Sequence, residues 1–89
     1  MNETIYNALK KFVRYWKTYI NAWGMDTTRI QKLIAEGNEA LKTSVTEEDT
    51  KNKELLERFI SVCSRALNER LLFKKEIRQL LDEAKELGF

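Results

Sequence analysis

From Thr46 to Leu87 the chain has neither Gly nor Pro, and its apolar positions recur in alternating steps of three and four. Leu56, Phe59, Cys63, Ala66, Arg70, Phe73, Ile77, Leu80, Ala84 and Leu87 form this seam, and of these only Arg70 is not apolar. Such spacing keeps one edge of a helix turned toward a partner helix, as in coiled coils and bundles. It predicts a helix over about residues 47–87, which at 1.5 Å per residue would be about 60 Å long.

Two shorter amphipathic stretches precede it. The spacing predicts a first helix over about 3–23. On a wheel of 100° per residue, Ile5, Leu9, Phe12, Trp16, Tyr19 and Trp23 lie in a band about 80° wide, flanked by Val13 and Ile20. Lys10, Arg14 and Lys17 gather on the other side with Asn7 and Asn21. Gly24 is placed to end this helix. Asp26, Thr27 or Thr28 caps the next, because a short side-chain oxygen accepts the free N–H groups of a first turn. A second helix is predicted over about 27–42, with Ile30, Leu33, Ile34, Gly37 and Leu41 on one face. Gly37 on an apolar face costs about 1 kcal/mol of helix propensity. A close approach by another helix explains it, and a turn around Asn38 is the competing reading. Thr46 with Asp49 resembles a capping box, and Glu47, Glu48 and Asp49 suit the positive end of a third helix better than a cation loop.

The expected fold is all-α, a single domain over 1–89: a small bundle of three helices with a long C-terminal helix. The alternative is four helices, with a break near Asn68–Leu72, where Asn68 offers a cap and Arg70 interrupts the seam. The lack of Pro and Gly there favours the unbroken helix. The first two helices, about 30 and 24 Å long, would cover only half of such a third helix. The other half would need a partner.

Composition refines this picture at one end of the chain. The 89 residues, 43% hydrophobic and 34% charged, fit one helical globular domain. The net charge of +2 does not by itself imply nucleic acid, but it is unevenly spread. Residues 1–25 carry +3 and the remainder −1, and six of the nine aromatic residues fall within the first 23. A lone cysteine on the seam, Cys63, reads as a small buried hydrophobe in a reducing compartment. Lys10, Lys11, Arg14 and Lys17 interrupt any apolar signal segment, and no apolar run is long enough to span a membrane, so a cytoplasmic protein without membrane partners is expected.

Catalysis is not expected. The chain has no His, hence no ordinary general base and no ordinary zinc set, and its three glycines stand apart, so no phosphate-binding glycine loop exists. The carboxylate pairs Glu36 with Glu39 and Glu83 with Glu86 sit on polar helix faces. No cofactor, metal or small-molecule ligand is expected. The sequence reading favours a non-catalytic protein–protein interaction module. It would be a small subunit or an inhibitor that occludes another protein's site, as many small phage-encoded proteins do, and a homodimer is the simplest partner. Its expected contact residues are Leu67, Arg70, Leu71, Leu72, Lys74, Lys75 and Arg78, where two adjacent leucines cannot both face a narrow core. The alternative is a nucleic-acid-binding accessory protein using Lys10, Lys11, Arg14 and Lys17, a cationic stripe edged by Tyr6 and Tyr15 that suits phosphates and bases.

Overall fold

The computed structural model describes residues 3–20, 26–42, 50–71 and 73–89, which form four helices and no strand. They are α1 (Glu3–Tyr19), α2 (Thr27–Leu41), α3 (Thr50–Glu69) and α4 (Lys74–Glu86). The chain is all-α, and the expectation of one unbroken helix over 47–87 is overturned in favour of the four-helix alternative. The longest dimension of the molecule is 37 Å, well short of what a straight helix over that stretch would need.

The break is made at Arg70, the interruption in the seam. Arg70 adopts φ +53°, and the Leu71 N–H bonds the Ala66 carbonyl at 3.2 Å. That bond closes the last turn of α3 in the manner of a Schellman motif. The same motif ends α4: Gly88 has φ +100°, Phe89 N–H bonds the Ala84 carbonyl at 3.0 Å, and Gly88 N–H bonds the Lys85 carbonyl at 3.1 Å. One helix therefore ends on a glycine and the other on an arginine in the same backbone region. Phe73 stands at the N-cap of α4 with no side-chain hydrogen bond, and the Arg65 guanidinium lies 4.8 Å from its ring.

Folding back leaves the seam intact as a core-facing edge. Leu56, Phe59, Cys63, Ala66, Ile77, Leu80 and Ala84 are all buried, whereas Arg70 is exposed and Phe73 and Leu87 lie at the margin. A repeat with steps of three and four reads the same in both directions. Folded at its midpoint, it sets seam residues of α3 against seam residues of α4. The antiparallel register is marked by two ion pairs, Arg58 with Glu83 at 2.6 Å and, two turns on, Arg65 with Glu76 at 3.6 Å. Both pairs lie within the one chain.

α1 and α3 pack against each other and each touches both other helices, so α2 and α4 flank a central pair. This explains why α1 buries more than its predicted band. Ala8 and Tyr15 on one side and Val13 and Ile20 on the other join Ile5, Leu9, Phe12 and Trp16 in the core, an arc of about 160°. α1 ends at Tyr19, with the Ile20 N–H still bonded to the Trp16 carbonyl at 2.9 Å. Asp26 supplies the N-cap of α2, its Oδ1 accepting the Arg29 N–H at 3.1 Å. The Asp26 N–H in turn donates to the Tyr15 hydroxyl at 3.3 Å, tying this cap to α1. α2 continues through Gly37 to Leu41, which removes the competing turn at Asn38. A Cβ at Gly37 would stand 2.8 Å from Ile60 Cδ1 and 3.3 Å from Phe12 Cε2, so two helices close on this position. Trp23, Gly24, the segment around Thr46–Asp49, and Leu72 lie outside the described residues.

Candidate functional site

The cationic stripe predicted on α1 is divided by the packing. Lys10 and Lys17 turn toward the flank where the chain returns from α4: the Lys10 ammonium lies 6.0 Å from the Tyr6 ring centroid, Tyr6 stacks on Phe89 at 5.0 Å, and Lys17 Nζ donates to the Phe89 carbonyl oxygen at 2.7 Å. Lys11 and Arg14 turn the other way, toward α2. There they line an open cleft of about 480 Å³ together with Tyr15, Thr18 and Tyr19 of α1 and Arg29, Lys32, Leu33 and Glu36 of α2.

The cleft has two tied ends and an open middle. At one end Lys11 Nζ meets Glu36 Oε2 at 3.2 Å. At the other, Arg29 Nη1 donates to the Tyr19 hydroxyl at 3.0 Å, which holds the half-exposed Tyr19 ring at the rim. Arg14 and Lys32 lie on opposite walls between these ends, with Leu33 on the floor side. Four cations and one carboxylate give the cleft a net charge of +3. Glu36 neutralises Lys11, which leaves Arg14, Arg29 and Lys32 as the charges that face a ligand. Arg29 Nε is 4.0 Å from Asp26 Oδ2, a distance at which an exposed pair contributes little. Tyr15 is buried beside the cleft, and that burial raises its hydroxyl pKa.

Sequence reasoning found Lys11 and Arg14 but missed Arg29, Lys32 and Glu36. Their spacing of three and four on one face of α2 is the signal that was available. It resembles an ordinary solvated face until the helix is packed against α1.

The predicted protein-contact residues are only partly gathered. Leu67 packs against the core edge, so it is half-buried rather than offered. Leu71, at the α3–α4 corner, is 56% exposed. Arg70, Lys74, Lys75 and Arg78 are exposed around this corner. The premise for an extensive contact surface there was an uncovered half-helix, and α4 removes it by burying Ile77, Leu80 and Ala84 against the rest of the bundle.

Cys63 is fully buried, and its thiol pKa is pushed up to about 12 by burial. The Trp16 indole N–H acts weakly the other way, favouring the thiolate; it has no conventional acceptor of its own. A thiol so held is a packing element rather than a nucleophile. Among the described residues no group of three or more His, Cys, Asp or Glu is placed to hold a metal ion, and no helix is long and apolar enough to cross a membrane. No protein-family model, curated protein or solved structure matches this chain.

Proposed function

We propose that this protein is a non-catalytic binding module that receives an anionic macromolecule in the groove between α1 and α2. The observation that carries this reading is the convergence of Lys11, Arg14, Arg29 and Lys32, from two helices, on one cleft. A cleft lined by charges of one sign, with low-dielectric walls, concentrates its field on whatever enters and speeds the arrival of the opposite charge. Binding rather than turnover fits a chain without histidine whose one thiol is buried and protonated. The test is fluorescence anisotropy of labelled polyanions, both an oligonucleotide and a polyglutamate peptide, against the native protein and Arg14→Ala with Lys32→Ala. The double variant should bind at least tenfold more weakly. Equal affinity, or no binding of either polyanion, rejects the reading.

A second reading is kept by one observation, the 56% exposure of Leu71 beside Arg70, Lys74 and Lys75. In it, the corner between α3 and α4 docks a protein, a second copy being the simplest. Molar mass by light scattering over a tenfold concentration range should then show a dimer that Leu71→Asp converts to monomer. A native monomer throughout retires the self-association form.

A further inference from the structure

We propose that the polyanion taken by the α1–α2 groove is single-stranded nucleic acid, an inference that rests on the anion-binding reading above. The groove asks its ligand for two properties at once. Its middle presents Arg14 and Lys32 from facing walls, which need separate negative charges along a chain. Between and beside them lie Leu33 and the Tyr19 ring, which need flat apolar groups. A single strand alternates phosphates with bases and supplies both. An acidic peptide supplies carboxylates but nothing flat to lie on the tyrosine.

The placement of Tyr19 supports this assignment. Tyr19 is 37% exposed although it falls within the apolar band of α1. The Arg29 hydrogen bond at 3.0 Å fixes its hydroxyl end, the same guanidinium lies 5.8 Å from its ring centroid, and the Tyr15 ring packs against it at 4.9 Å. A tyrosine paired with a guanidinium at the rim of a cationic track is a planar assembly that a base can extend by stacking, and such stacking needs no base sequence. Base access separates single strands from duplexes. In a duplex the base faces are stacked on one another, so none can lie on the tyrosine without an unstacking that costs a few kcal/mol. From Lys11 to Tyr19 the track runs for about 12 Å along α1, so it contacts a short stretch of strand.

Anisotropy of a fluorescein-labelled oligothymidylate, measured on the native protein between about 50 and 200 mM salt, tests the assignment. With Arg14, Arg29 and Lys32 facing the strand, log K should fall with log salt with a slope of about −2, at about −0.7 per phosphate neutralised. Arg14→Ala with Lys32→Ala should bring the slope to about −0.7 by the same rule. Tyr19→Ser should weaken binding about tenfold at an unchanged slope, in line with the loss of one stacked base, while Tyr19→Phe stays within about twofold of native. Lys10→Ala with Lys17→Ala, which lie outside the groove, should also stay within about twofold. If polyglutamate of equal charge or the matching duplex binds as tightly as the single strand, the assignment falls and the anion-binding reading stands. A Tyr19→Ser protein that binds like the native one also overturns it. If the native protein binds none of the three, both readings fall.

Discussion

Gly37 sits where α1 and α3 both close on α2, and two opposing terms meet at its missing side chain. An alanine there would gain about 1 kcal/mol of helix propensity. Its Cβ would also press on Ile60 Cδ1 at 2.8 Å and on the Phe12 ring at 3.3 Å. Phe12 is fully buried and its ring can yield only slightly, whereas Ile60 is half-buried and its terminal methyl has somewhere to go. The two effects of Gly37→Ala should therefore nearly cancel in the native background. Ile60→Val removes the nearest atom but leaves Cγ1 at 3.1 Å, so in that background Gly37→Ala should be more favourable than in the native one by about 0.5 kcal/mol, at the lower end of the coupling expected for residues in contact. Urea denaturation of the four proteins in this cycle measures it, and equal effects of Gly37→Ala in both backgrounds would show that Ile60 does not set the limit.

At the scale of the elements, the α3–α4 turn depends on one strained residue. For an L-residue other than glycine the left-handed region costs about 1–2 kcal/mol, and Arg70 bears that cost where Gly88 does not. Arg70→Gly should raise stability by about 0.5–1 kcal/mol, since part of the relief is offset by the looser unfolded chain of a glycine protein. Arg70→Ile should do the opposite, because β-branching disfavours this backbone region further. It also fills the gap in the seam with an apolar residue. A straightened α3–α4 would then present its seam to the same seam of a second copy, and the ion pairs Arg58–Glu83 and Arg65–Glu76 would form between chains. A domain-swapped dimer is the expected product. Light scattering of Arg70→Ile at rising concentration should detect it, and a monomer of lower stability at every concentration would show that the hinge does not depend on this side chain.

The same element shows what the sequence could convey. The seam named most of the core residues of α3 and α4 because burial needs only periodicity; Leu55 and Val62, also buried, lie off the seam and were not named. Whether the helix runs straight or folds was not legible, since a repeat of threes and fours is satisfied by either arrangement and no Gly or Pro marks the turn. Arg70 was visible as an interruption, but an arginine in the left-handed region has no local signature. The groove was half legible for a related reason. Lys11 and Arg14 stood out in a basic, aromatic segment, whereas Arg29 and Lys32 lie on a polar face of mixed charge. Their proximity to Arg14 is a property of packing, set by the Asp26 cap and its tie to Tyr15.

For the molecule as a whole, the central α1–α3 pair places one titratable group where its ionisation is linked to global unfolding. Cys63 is buried with Trp16 beside it, and its pKa is raised from 9.0 to about 12 by burial. The folded state therefore holds the thiol proton more tightly than the unfolded chain does. Its contribution to stability is complete below pH 9.0 and is lost as pH rises from there toward about 12, at about 1.4 kcal/mol per pH unit. Tyr15, also raised by burial, adds a loss of the same sign that begins only above its ordinary 10.0. Between these two values the thiol dominates the pair. Cys63→Ala removes the titration at the cost of a small cavity, which is independent of pH. Urea midpoints under reducing conditions should thus fall more steeply with pH for the native protein than for Cys63→Ala. By pH 10 the gap between the two proteins should have moved by about 1.4 kcal/mol from its value at pH 7. If the two profiles stay parallel, the thiol is not held as deeply as its burial beside Trp16 requires.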